Sequence, residues 1–341
     1  MKKIALRNKV YLVWMVVLLV GVFALSACST SPEPTAVPDP TIAPATAVSE
    51  EPTIAPEPTA VIEEVEEAPE APALSAGVSW LMEQQNEDGG FGSYAITSTV
   101  AGTLDGLLAI GIGNADAVGY LADNVEETAV FASTNGGSAG KIVLALTIAG
   151  EDPAAFAGHD FVIDITNALS VTGQYAPDAF NQSLAMMGLD AVGATVPITA
   201  TQWLIDQQAA DGSWDDGFGT TQNADATAMA VMGLLAGNVA GDDPAITAAL
   251  DFFAASQLPT GGWEYGAGYG ENANSTALVM QALTALGEDV TAADGAWAVD
   301  GVSLTAILLG WQGESGAFQA DFGEGRMDNL YATVQSLPAL R

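Results

Sequence analysis

Acidic side chains supply most of the reactive chemistry available to this chain. Asp211, Asp215 and Asp216 crowd the stretch QQAADGSWDDGFG (207–219), and Glu264 directly follows Trp263. Paired carboxylates suit general acid–base work, as in glycoside hydrolysis, with Asp215, Asp216 or Glu264 forming the pair. Asp215 and Asp216 also suit a loop cation, because hard cations take oxygen ligands. Asp225, Asn274 and Asn329 form a second set. Each stands thirteen residues after a glycine (Gly212, Gly261 and Gly316) and begins an apolar segment. Asp and Asn at such a place cap helices by accepting a first-turn amide. With the segments side by side and parallel, the same three residues ring one end of the molecule and can meet a ligand there.

Other chemistries are excluded by composition. Cys28 is the single cysteine and His159 the single histidine. The folded part therefore has no disulfide, thiolate zinc site or thiol nucleophile, and no Ser-His-Asp triad away from His159. His159 by itself reads as a hydrogen-bonded structural residue. The formal net charge of −35 repels nucleic acid and anionic headgroups and favours solubility.

The elements that position these residues are repeats. WLMEQQNEDGGF (80–91), WLIDQQAADGSW (203–214), FFAASQLPTGGW (252–263) and ILLGWQGESGAF (307–318) share one template. Two bulky apolar residues lead into Gln-x-x-x-Gly-x-aromatic. The sets are Gln85/Gly89/Phe91, Gln208/Gly212/Trp214, Gln257/Gly261/Trp263 and Gln312/Gly316/Phe318. LSVTGQY (169–175) is a weaker copy, and a sixth unit around 133–150 is degenerate. An amphipathic segment precedes each motif; Val78, Leu81, Met82 and Gln85 show the helical spacing. A segment apolar nearly all round follows each motif, so it is buried on more than one side. Strand alternation is scarce. The pattern predicts an all-α fold: six helical hairpins whose inner helices are covered by outer ones in a closed α/α toroid.

Gln-x-x-x-Gly-x-Trp/Phe resembles the repeat of squalene and oxidosqualene cyclases and, more loosely, of prenyltransferase β subunits. The resemblance spans 75–341 and implies the α/α toroid. The same toroid forms the α domain of cobalamin carriers such as intrinsic factor and transcobalamin, and complement-type thioester domains. It implies that the Gln and the aromatic ring lock one helix to its neighbour, so Gln208, Gly212 and Trp214 are structural. The prenyltransferase Asp/Cys/His zinc site and the thioester Cys-Gly-Glu-Gln run are absent. The cyclase Asp-x-Asp-Asp-Thr-Ala stretch is matched by NADATA (223–228). Asp225 falls on the position of the proton donor and Thr227-Ala228 match, while Asn223 and Ala226 replace the flanking acids.

Residues 1–28 resemble a bacterial lipoprotein signal. Lys2, Lys3, Arg7 and Lys9 precede an apolar run (10–25), and LSAC ends at Cys28, the expected lipidation site. An uncleaved anchor is the alternative reading of that run. Residues 29–74 hold ten of the sixteen prolines and read as a disordered Pro/Thr/Glu-rich linker. These features predict a lipid-anchored protein at the bacterial cell surface, touching the membrane through Cys28. The leading functional expectation is a binding module in which a corrinoid, an apolar small molecule or a protein partner sits at the barrel mouth. Beside Asp225, Asn274 and Asn329, the loop aromatics Phe218, Tyr265, Tyr269, Phe322 and Tyr331 are its candidate lining. No resident cofactor is expected, apart from that corrinoid as ligand and a cation near Asp215 and Asp216. The alternatives are a terpenoid cyclase using Asp225 as proton donor, and a structural or adhesion protein of the cell envelope.

Overall fold

The computed structural model describes residues 70–92 and 97–341. The expected signal segment with Cys28, and the linker up to residue 69, lie outside the described residues. Six inner helices form a ring: α2 (Val100–Ile110), α5 (Gly136–Ala149), α7 (Ala179–Ala191), α9 (Ala224–Ala236), α11 (Ala273–Ala285) and α13 (Leu330–Ser336). Each packs on the next, and α13 packs back on α2, so the ring is closed. The outer layer is α1 (Glu70–Glu83), the pair α3 (Ala115–Asp123) and α4 (Val125–Ala132), α6 (Phe161–Ala168), α8 (Ile198–Asp206), α10 (Pro244–Ser256) and α12 (Leu304–Leu309). A short antiparallel hairpin, β1 (Gln319–Asp321) with β2 (Arg326–Asp328), departs from the all-helical expectation. A 3₁₀ turn, Leu337–Leu340, follows α13.

The repeated motif builds a joint with three parts. In each full copy the Gln amide donates to its own glycine carbonyl and to the next outer element. Gln208 Nε2 reaches Gly212 O (2.9 Å) and Ala245 O (2.8 Å); Gln257 reaches Gly261 O (2.9 Å) and Trp297 O (3.0 Å). The aromatic residue's amide donates to an inner-helix threonine: Phe91 to Thr103 (3.0 Å), Trp214 to Thr227 (3.0 Å), Trp263 to Thr276 (3.1 Å), Phe318 to Thr333 (2.9 Å). The indoles of Trp214 and Trp263 donate back to their outer helices, at Leu204 O and Phe253 O. Both rings are fully buried, so the joint satisfies its polar atoms while removing large apolar surfaces from water. Gly212 has a φ of 87°, and a Cβ there would strike Ala248 O, so no other residue fits.

The first copy, Gln85/Gly89/Phe91, departs from this pattern in one contact. Gln85 Nε2 donates to Gly89 O at 2.6 Å, but its second acceptor is the side-chain Oδ1 of Asn114 (2.9 Å) rather than a backbone carbonyl. Asn114 caps α3, so the outer helix is still held, through its cap. Gly89 itself is buried in the joint, with a φ of 84°, and a Cβ there would strike Asp116 O in the first turn of α3. It is a structural residue, and the resemblance of the four copies does not extend to identical partners.

The same joint closes the ring. Gln312 Nε2 donates to Gly316 O and to Ala73 O on α1, both at 2.8 Å. Arg341 caps the far end of α2, donating to Leu108 O and Ala109 O. The weak copy keeps the geometry by another route. Gln182, on the inner helix α7, donates to Gly173 O (2.9 Å) and Ala200 O (3.3 Å), replacing the missing motif glutamine.

The inner helices are not wholly apolar, contrary to the sequence pattern. Asp105 on α2 and Lys141 on α5 form an ion pair of 2.8 Å with side chains 8% and 2% exposed. A buried pair of this kind persists because each charge would be costly without the other. His159 is structural as expected, bonding Asp164 (2.7 Å) and lying against Phe161.

Candidate functional site at the ring of helix N-termini

All six inner helices begin alike. Thr99, Asn135, Asp178, Asn223, Asn272 and Asn329 are the N-caps, each accepting the amide three residues on. This corrects the register drawn from the sequence. Asn329 is a cap, but Asp225 and Asn274 each lie two residues beyond one, inside the first turn. The last unit carries the β1–β2 hairpin between Phe318 and Asn329, so its equivalent of Asp225 is Tyr331. The six equivalent positions are Ala101, Gly137, Phe180, Asp225, Asn274 and Tyr331. Sequence spacing counted from the glycine missed the longer loop; spacing counted back from the joint threonine finds the register.

Between joint and cap the chain makes an excursion whose base is clamped. The cap amides of Thr99, Asn223, Asn272 and Asn329 donate to the carbonyls of Phe91, Trp214, Trp263 and Phe318, respectively. The excursions therefore stand at the end where the inner helices start. Acidic residues fold three of them. Asp216 accepts the amides of Phe218 and Thr220, Glu264 those of Gly268 and Gly270, and Asp321 those of Gly323 and Gly325. Asp215 accepts Gly217 N and is exposed. Asp211 is held by Ser213 and Gln222. Among the described residues no three His, Cys, Asp or Glu side chains converge as metal ligands. Asp211 and Glu264 do share a cleft of about 560 Å³ beside α10, whose lining does not include Asp216.

The candidate aromatics divide. Phe218 (73% exposed), Tyr269 (53%) and Phe322 (62%) project from three successive excursions. Tyr265 is buried, and its hydroxyl donates to Asp216 Oδ2 at 2.5 Å. Tyr331 is half-buried on α13 and lines a crevice with Asp105 and Phe91.

Asp225 and Asp216 are the chemically distinctive pair. Asp225 is 5% exposed and its Oδ1 has no hydrogen-bond partner. Burial pushes its carboxyl up to about 7; the Ser275 hydroxyl beside it pulls the other way, and the Asp216 charge adds to the rise. Asp216 is also buried, which by itself raises its carboxyl. The Tyr265 hydroxyl and the Thr220 and Phe218 amides outweigh that and hold it below the usual range. Burial, with the Asp216 bond, moves the Tyr265 phenol upward. One carboxyl is thus kept ionised and its neighbour kept protonated up to neutrality, the arrangement that separates a base from an acid. Asn274, on the adjacent helix, donates to Gln335 Oε1 on α13, and Gln281 Nε2 donates to Gln335 O at 3.3 Å.

One turn further along the same helical face stand Asp105, Lys141, Leu184, Met229, Leu278 and Gln335. All are buried. The ring is filled at this level, so the layer just above it, polar at Asp225, Asn274 and Tyr331, forms the mouth.

No protein-family model and no curated relative matches the sequence. Solved structures do match. A variant of the type II terpene cyclase MstE from Scytonema, in complex with geranylgeranyl dihydroxybenzoate, aligns at TM-score 0.59 and 13% identity, covering 80% of this chain and 96% of that one. The fold is the terpene-cyclase α/α toroid. Apo MstE aligns at TM-score 0.57 and 14% identity, covering 80% and 97% of the two chains. A protein from Actinoplanes aligns at 0.56 and 17%, covering 80% and 98%. At these identities the likeness establishes the architecture predicted from the repeats, and the chemistry of this toroid rests on its own residues.

Proposed function

We propose that this toroid acts on a prenyl-type substrate at the mouth, with Asp225 as general acid, in the manner of a terpene cyclase. This replaces the pure binding module as the leading reading. The observation that carries it is Asp225: a buried carboxyl, protonated up to about pH 7, with one oxygen unpartnered, at the start of an inner helix. It stands at the motif position that resembles the proton donor of squalene cyclases. The solved neighbour with a geranylgeranyl ligand supports the substrate class.

Two residues beside Asp225 have structural duties. Asn223 is the cap that holds Ala226 N at 2.7 Å, and Thr227 belongs to the Trp214 joint. Asp216 supplies the second carboxylate from the preceding loop. An acid near pH 7 transfers its proton most readily to an acceptor of matching basicity, so turnover is slow on isolated alkenes. The test is incubation of the protein with squalene and with geranylgeraniol, followed by chromatography and mass spectrometry. Cyclised product from wild type, absent with Asp225→Asn, is expected. Equal product from both proteins refutes the assignment.

A second reading, ligand binding without turnover, is favoured by the closed layer below the mouth and the exposed Phe218, Tyr269 and Phe322. There Asp225→Asn leaves affinity nearly unchanged, because Asn keeps the shape and the hydrogen bond. The lipoprotein expectation belongs to the same proposal: LSAC ending at Cys28 tethers the toroid outside the cytoplasm.

A further inference from the structure

The charges around the mouth are lopsided. Lys141, Arg326 and Arg341 are the lysine and arginine residues of the described part. Lys141 is closed off at 1% exposure, bonded to Asp105 and to Ala101 O (3.3 Å). Arg326 stacks 3.8 Å over the Trp311 ring and donates to Gly310 O at 2.6 Å. Arg341 is spent on the far end of α2. The mouth itself carries the ionised Asp216 and, nearby, the acidic loop residues Asp215, Glu264 and Asp321. Among the described residues, an anionic group reaching Asp225 meets the ionised, buried Asp216, where screening by water is weak, while the exposed arginine of the excursions, Arg326, is stacked on Trp311 at the hairpin.

Two buried polar atoms at the same place lack partners. They are Asp225 Oδ1 on α9 and Ser275 Oγ on α11, with their residues 5% and 0% exposed. The hydroxyl lies close enough to influence the carboxyl, yet neither atom completes a hydrogen bond. Buried polar atoms are almost always satisfied, so such a pair is suited to receive a hydrogen-bonding group. A serine hydroxyl both donates and accepts, and so does a protonated carboxyl. Their shared complement is a group that also does both and carries no charge.

We infer that the ligand of this mouth ends in an uncharged hydroxyl, bound between Asp225 and Ser275, and that ligands with an anionic head are refused. This rests on the prenyl-type reading above and narrows its substrate class. The hydroxyl donates to the free carboxyl oxygen and accepts from Ser275, while the apolar body extends toward Phe218 and Tyr269.

The test is binding measured by tryptophan quenching with three probes that share one chain: geranylgeraniol, geranylgeranyl diphosphate and the corresponding hydrocarbon. The alcohol is expected to bind about tenfold tighter than the hydrocarbon, the worth of a buried hydrogen-bonded pair, with the diphosphate weakest. Ser275→Ala is expected to remove most of that advantage and leave hydrocarbon affinity unchanged; a thermal melt confirms that the variant folds. Equal or tighter binding of the diphosphate overturns the inference, as does an equal loss for all probes in Ser275→Ala, or no binding of any probe. Turnover separates the two proposals. Preferential alcohol binding without cyclised product sustains the head-group inference and removes the cyclase. Product formed without preference for the alcohol does the reverse.

Discussion

The Trp214 and Trp263 joints and the mouth around Asp225 and Asn274 lie in the same two repeats, yet they differ in kind. The joints are near-identical: Gln to Gly carbonyl at 2.9 Å in both, aromatic amide to threonine at 3.0 and 3.1 Å. The mouth positions share backbone geometry and nothing else, running Ala101, Gly137, Phe180, Asp225, Asn274, Tyr331 round the ring. Identical geometry recurs where every unit faces the same mechanical problem. Side chains diverge where the ring presents one surface to one ligand. In a repeat protein the unrepeated residue at a repeated position is therefore the functional candidate.

The largest expected effect breaks a joint. Trp214→Ala or Trp263→Ala removes a fully buried ring and its indole hydrogen bond, and costs roughly 3–5 kcal/mol in urea unfolding. Trp263 also packs on Phe253 and Trp297, so its loss loosens both α10 and the segment that leads into α12. An unchanged midpoint with altered ligand binding would invert the comparison.

Next is the pH dependence of Asp225. Its folded value of about 7 lies above the unfolded value of 3.8, so the stability it allows is present below about pH 4 and lost as pH rises through 7. Asp225→Asn removes that loss. The variant is expected to be more stable than wild type at pH 8, by roughly 1–4 kcal/mol, and to show no gain at pH 4. Thermal melts at the two pH values decide this; parallel shifts at both would mean that the carboxyl is not held neutral.

The smallest effect separates caps from mouth. Asn329→Ala removes a cap and is expected to cost about 0.5–2 kcal/mol without changing geranylgeraniol affinity. Asn274→Ala removes no cap. It breaks the bond to Gln335 and is expected to alter affinity by more than its stability loss accounts for. Outside the comparison, palmitate-analogue labelling that is lost in Cys28→Ser is the expected sign of the lipid anchor.

The ring was legible because its signals are local and repeated: Gln-x-x-x-Gly-x-aromatic, glycine stops and apolar inner segments. The partners of each joint were less so, since the Gln85–Gly89 turn meets the Asn114 side chain where the later copies meet a carbonyl. The weak third unit was legible only in part, because Gln182 supplies its amide from the opposite helix and no spacing rule links it to Gly173. The mouth was half legible. Asp225 and Asn274 do share one register, but Asn329 was grouped with them because the longer β1–β2 excursion is invisible to a fixed count. The buried Asp105–Lys141 pair spans 36 positions and Tyr265 bonds Asp216 across 49, and the packing of neighbouring units brings these residues together. Asp215 and Asp216, adjacent in sequence, part company: one is exposed and turns its own loop, the other is buried and sets the charge beside Asp225.

The central claim is that Asp225 delivers a solvent-exchangeable proton to a prenyl chain. Turnover in heavy water tests it most directly. Protonation at one carbon and proton loss at another leave an isomer of the substrate, so a product made this way carries one deuterium from solvent. Mass spectrometry of the product from wild type is predicted to show that single added mass unit, with no product from Asp225→Asn. An unlabelled cyclised product, or labelled product from both proteins, would contradict the account.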